Sequence, residues 1–473
     1  MAASRARRAG ARRAVLIASS AAVIAVATLA LGPALAPPSR QGLTGSAPGS
    51  PTVASPSVGS FSSGPLGTGT SLGPSPSGSR GPDPSASPAT APLPNTPGFP
   101  VVAPPPAQTI RLAPATRLAL QARLDQLRKR YGIPGISAAV LLPDGSMWTG
   151  VSGLADVAAE RPVTRSTTFA IASVSKTFTS ALILALAGEG RIDLDAPVRR
   201  YLPKLTKVGP KILVRQLLDH TSGLRDYFFH PSIDHLLLAR PDRRWTAADA
   251  LRYVGKPYFA PGKGWHYSNT NYLVLGMLAE AVGKAPLAVQ IRTRFLRPLD
   301  LTDTWFQPTE RAPRDIAHGY RFTAPGASAK PIDLSGTGPI EPFTSVVTAA
   351  GGAGGFASTP ADLVHWARAL YGGRLLRSEM LAQLTDLRAT APFDPTVPYG
   401  LGVQLVVIDG VPTEGHSGRL LGFRSAVRYV PDRGIAISVL TNQSRSDPGP
   451  IVRVLLRTVL TADAAPCRCF ARR

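Results

Sequence analysis

Runs with strand character lie at the two ends of one long region and helical patterns fill its middle, and this distribution constrains the fold most. Near the start, residues 136–142 and 147–151 read as strands joined by Pro143, Asp144, Gly145 and Ser146, whose Asp-Gly pair favours a tight hairpin. Near the end, residues 402–408, 425–430 and 435–441 read as strands, and residues 451–460 as a closing helix. Before the first strand, Leu118, Leu120, Leu124 and Leu127 recur at helical spacing after Pro114 until Gly132 and Pro134 interrupt the pattern. Helical patterns dominate residues 178–283. The expected fold is α+β: an antiparallel sheet formed from both ends of the domain, flanked by helices, with a mostly helical lobe inserted.

The folded domain is expected to span residues 110–462. The 473-residue chain holds 47 Pro and 45 Gly, too many for one compact domain, and residues 37–109 consist largely of Pro, Gly, Ser, Thr and Ala. That segment has almost no charge or periodicity and reads as a disordered linker. Residues 1–36 carry Arg5, Arg7, Arg8, Arg12 and Arg13 ahead of an uncharged apolar run over 14–31, the pattern of an export signal. Ala34, Leu35 and Ala36 suit cleavage, but Pro37 and Pro38 hinder it, so cleaved signal peptide and membrane anchor both remain open. The domain is therefore expected outside the cytoplasm, secreted or anchored by its N-terminal segment. Residues 463–473 form a tail with the only two cysteines, Cys467 and Cys469, too close for an easy mutual bridge.

A formal charge of +23 favours contact with anionic polymers or lipid. No nucleic-acid motif accompanies it, and no nucleic-acid partner is expected. His230 and His235 lack the spacing of a metal-binding helix, so neither metal nor other cofactor is expected. Gly351, Gly352, Gly354 and Gly355 are not followed by Lys, which disfavours a phosphate cradle, while Thr359, Pro360 and Asp362 read as a helix cap. No G-x-S-x-G motif supports an α/β-hydrolase. His220, two residues from Ser222, reads as structural, since triads are recognised by geometry and not by adjacency.

Ser173 is the only serine with a lysine three residues later, Lys176, and the pair opens a long apolar helical pattern. Residues three apart share a helix face, so the Lys176 amine can reach the Ser173 hydroxyl. A serine hydroxyl needs a neighbour to take its proton during acyl transfer, and a lysine serves only when neutral, as burial makes it. The expected helix start at Ser173 also favours developing negative charge, making its backbone N–H half of an oxyanion hole. Two more clusters follow in order: Tyr267, Ser268 and Asn269, then His416, Ser417 and Gly418.

With residues 169–178, 217–224, 267–273 and 351–363, these three motifs resemble the serine β-lactamase and penicillin-binding-protein superfamily, in its class C β-lactamase and D-alanyl-D-alanine carboxypeptidase branch. The resemblance covers nearly all of residues 110–462. It implies Ser173 as nucleophile, Lys176 and Tyr267 as proton carriers, Asn269 as a partner of Lys176 and substrate, and the Arg419 N–H as the other oxyanion donor. It also implies His416, Ser417 and Gly418 as a substrate-binding strand. The departure is His416, where class C β-lactamases carry lysine; a neutral histidine offers less charge to a substrate carboxylate, and Arg419 is expected to supply some of it.

The implied substrate is a peptide or ester small molecule, foremost D-alanyl-D-alanine peptides of peptidoglycan. An esterase or weak β-lactamase of the same fold is the first alternative. A non-catalytic peptidoglycan-binding protein is the second.

Overall fold

The computed structural model describes residues 112–322, 331–336 and 338–463. The expected export segment, the expected linker and both cysteines lie outside them.

Seven antiparallel strands form the main sheet. In chain order they are β1 (Gly135–Leu141), β2 (Met147–Asp156), β3 (Arg161–Pro162), β4 (Gln404–Ile408), β5 (Val411–Leu420), β6 (Phe423–Val430) and β7 (Ile435–Thr441). Their spatial order is β3-β2-β1-β7-β6-β5-β4, so the two ends of the domain meet where β1 pairs β7. Asn442 fastens this seam: its Oδ1 accepts from the Gly135 N–H at 2.6 Å and its Nδ2 donates to the Leu154 carbonyl at 3.0 Å.

Every residue of β1 is buried, because both sheet faces are covered. On one face α1 (Pro114–Arg130) applies Leu120, Leu124 and Leu127 to Ile136, Ala138 and Val140. The C-terminal helix α5 (Gly449–Asp463) joins that cluster through Ile451, Val452, Leu455, Leu456 and Val459. On the other face, Ala139 and Leu141 meet α2 (Ser175–Gly188) and α4 (Pro360–Tyr371) through Phe178, Leu182, Trp366 and Leu370. The predicted cap of α4 forms, with the Thr359 hydroxyl accepting from the Asp362 N–H at 3.3 Å.

The fold is the expected α+β arrangement with a sheet completed by both ends of the domain. The middle of the domain is less helical than its pattern suggests. Between α2 and α3 (Asn269–Gly283) stand only short helices joined by turns, since Pro, Gly and Asp residues interrupt the helical spacing there. The largest omission from the sequence reading is β5. Pro412, Gly415 and Gly418 weaken its alternating pattern, and its hydrogen-bonded neighbours β4 and β6 define it.

Candidate active site

α2 contains no charged residue except Lys176, and from Ser175 to Leu184 every residue is buried. An α-helix apolar on all sides can exist only inside a core, so its single amine is carried into the interior. Ser173 lies just before α2, in a 3-10 turn over Ala172–Val174 and not at the α-helical start that the sequence suggests. The preceding residue, Ala172, has φ of 50°, a left-handed conformation that costs a non-glycine residue about 1 kcal/mol. Two bonds from Ile171 hold the turn: its N–H donates to the Phe356 carbonyl at 3.0 Å and its carbonyl accepts from Ser425 Oγ at 2.7 Å.

Lys176 Nζ is within hydrogen-bond distance of three oxygens: Asn269 Oδ1 at 2.7 Å, the Ala353 carbonyl at 2.8 Å and Ser173 Oγ at 3.0 Å. Burial pushes its pKa from 10.5 down to about 7, partly opposed by the negative charge of Asp226. A neutral amine has two N–H bonds and one lone pair. The Asn269 and Ala353 oxygens can only accept, so they take the two N–H bonds and leave the lone pair for the Ser173 O–H.

Tyr267 completes the cluster, its phenol facing the Ser173 hydroxyl and its ring centroid 4.9 Å from Lys176 Nζ. Burial holds this phenol well above its ordinary range, so it stays protonated. Asn269 is the first residue of α3, and Asp226, which the sequence reading missed, fixes its amide. Asp226 Oδ2 accepts from both the Asn269 backbone N–H at 3.0 Å and Nδ2 at 2.7 Å. Asp226 carries no local signal of this role; only the fold brings it to α3.

The third cluster lies on β5. Gly418 passes so close to the nucleophile turn that an added Cβ would stand 2.3 Å from Ser425 Oγ and 2.5 Å from the Ile171 carbonyl. Residue 418 therefore has to be glycine for β5 to reach Ser173. His416 is 1% exposed, and burial holds it far below its usual range, hence neutral. Its Nδ1 sits 2.6 Å from the Ser417 carbonyl, which can only accept, so Nδ1 carries the proton and Nε2 accepts from the Tyr399 hydroxyl at 2.9 Å. Both the Ser417 N–H and Oγ reach Gln404 Oε1, at 2.9 and 3.0 Å. Arg419 is exposed on the same strand, and partial desolvation lowers its guanidinium pKa.

His220 is a buried companion of Tyr267, the two ring centroids lying 4.4 Å apart. Its Nδ1 accepts from the Ser268 N–H at 3.2 Å and from Asn271 Nδ2 at 3.0 Å, while Ser222 Oγ bonds Asn271 and not the histidine. His220 and Ser222 thus form no nucleophile pair. Apart from this cluster, Asp156, His318 and Asp333 bring three potential ligand atoms within 4.8 Å of one another, a grouping the sequence reading did not foresee.

A buried lysine on a serine hydroxyl, beside a phenol and an amide at the junction of an antiparallel sheet and a helical lobe, places the protein among the serine hydrolases. The chain belongs to the Beta-lactamase family, which matches residues 120–459. It is similar to "Penicillin-binding protein 4*" of Bacillus subtilis (strain 168), 28% identical over 333 residues, 66% of this chain and 69% of that one. A "D-aminopeptidase" of Cereibacter sphaeroides is 26% identical over 69% of this chain, which spans only 60% of that protein's length. Among solved structures, a D-stereospecific amidohydrolase from Streptomyces sp. superposes with a TM-score of 0.60 at 31% identity, over 74% of this chain and 98% of its own.

Proposed function

We propose that this protein is an exported serine hydrolase that works through an acyl-enzyme on Ser173, with D-alanyl-D-alanine carboxypeptidase activity on peptidoglycan peptides. The observation that carries the reading is the fully buried Lys176 with its Nζ 3.0 Å from Ser173 Oγ; burial lowers its pKa to about 7, so a neutral form with its lone pair toward the Ser173 hydroxyl is readily populated. As Ser173 Oγ bonds to the acyl carbon, its proton passes to Lys176. The new oxyanion is received by the N–H groups of Ser173 and Arg419. Lys176 and Tyr267 then return the proton to the departing amine nitrogen as its bond to the acyl carbon breaks. Water attacks the acyl-enzyme by the same route in reverse and releases the acid.

Asn269 and β5, with His416, Ser417 and Gly418, would hold the substrate between them. The printed names of the relatives, a penicillin-binding protein, a D-aminopeptidase and a D-stereospecific amidohydrolase, support D-configured substrates. A C-terminal carboxylate is favoured over an N-terminal ammonium because the turn end of the β5–β6 hairpin carries Arg419 directly opposite Arg424. The second reading, an amidase or aminopeptidase, is favoured by the neutrality of His416.

Intact-mass spectra of wild type and Ser173→Ala after incubation with penicillin, alongside turnover of acetylated D-Ala-D-Ala and of D-alanine amide, test the proposal. A serine-dependent adduct with release of D-alanine from the dipeptide is expected. Turnover of the amide alone would replace the carboxypeptidase by the amidase.

A further inference from the structure

Arg428 lies behind the third motif, 8% exposed, on the strand that pairs with β5. Among the described residues no carboxylate comes within ion-pairing distance of it, and its Nη1 has no hydrogen-bond partner. Burial lowers its pKa to about 10, partly opposed by Tyr371 and Asp447, so it remains charged at neutral pH. An arginine buried without a paired carboxylate is costly, and such a cost persists where the charge serves a site.

Its Nη2 donates to Gln404 Oε1 at 3.0 Å, the same oxygen that receives the Ser417 N–H and Ser417 Oγ. One carbonyl oxygen has two lone pairs and here faces three donors. The backbone N–H and the guanidinium are fixed; the Ser417 hydroxyl alone can rotate. Two fixed donors therefore saturate Gln404 and free the Ser417 proton to turn outward.

We propose that Arg428 is a positioning residue for anionic substrates: through Gln404 it releases the Ser417 hydroxyl toward a substrate carboxylate and supplies the fixed positive charge that His416 lacks. The inference rests on the carboxypeptidase reading of the site. It assigns the carboxylate preference to a group that never touches the substrate. Gln404 is the connection, since its amide can accept from Arg428 and Ser417 together only with Oε1 facing both.

Calorimetric binding of acetyl-D-Ala-D-Ala and of its C-terminal amide to full-length Ser173→Ala protein tests this, with Gln404→Glu, Arg428→Met and Arg428→Lys added in turn. Gln404→Glu pairs the buried guanidinium, so the protein stays folded while the charge is cancelled. The expected result is an acid-over-amide preference in the parent that falls about tenfold in Gln404→Glu and Arg428→Met and recovers in Arg428→Lys. Equal affinities in the parent, no detectable binding of the acid, or a preference unchanged by Gln404→Glu would overturn the assignment. Turnover by the wild-type enzyme is read separately. Failure to release D-alanine while the acid preference responds to Arg428 would sink the carboxypeptidase reading and leave the role of Arg428 intact.

Discussion

Asp226 holds Asn269 by two hydrogen bonds to a single carboxylate oxygen, one from the backbone N–H and one from the side-chain amide. That grip turns Asn269 Oδ1 toward Lys176 and brings the negative charge of Asp226 to act on the amine.

Asp226→Asn therefore removes a charge that raises the Lys176 pKa, so that pKa falls further below about 7. Because the neutral amine is the base, the acid limb of the pH profile of kcat/KM should move to lower pH, while the weakened grip on Asn269 lowers the plateau by about tenfold. An acid limb that stays in place or moves upward would show that Asp226 does not act on Lys176.

Lys176 also costs stability. Its folded pKa of about 7 lies below the unfolded value of 10.5, so between these limits the unfolded chain binds more protons and stability falls as pH is lowered. Below about 7 the penalty is fully present. Lys176→Met abolishes turnover, and its Tm relative to wild type should rise steadily as pH is lowered from 10.5 to 7 and then level off. Parallel Tm curves for the two proteins would contradict the depressed pKa.

Gly418→Ala sets a methyl group against Ser425 Oγ and the Ile171 carbonyl, neither of which can retreat without moving the Ser173 turn. Overpacking of this kind should cost about 1–3 kcal/mol in urea unfolding and lower kcat at least as severely. Full activity in that variant would mean that β5 need not lie so close to the nucleophile.

Asn442→Ala leaves the Gly135 N–H and the Leu154 carbonyl without their side-chain partner at the β1–β7 seam. A stability loss of about 1–3 kcal/mol is expected, with kcat on any turned-over substrate within twofold of wild type. A selective drop in kcat would show that the seam transmits strain to the site.

Local sequence carries much of this protein. The strands at both ends, the apolar α2 and the three polar clusters are each written within a few neighbouring residues, where hydrophobic period and residue chemistry are directly readable. β5 is the exception among the larger elements: its prolines and glycines obscure the alternation, and its neighbours impose the strand.

Tertiary structure decided what surrounds the amine. Ala353, whose carbonyl takes one Lys176 N–H, is 177 residues from it, and Asp226 is 43 residues from the amide it holds. Main-chain carbonyls carry no side-chain signature, and buried carboxylates look like surface ones until their surroundings are known. The sequence by itself determined that a serine, a lysine, a tyrosine and an asparagine were present in this order. Only the fold excluded water from Lys176 and set how far its pKa falls, because desolvation depends on everything packed around a charge and not on its neighbours along the chain.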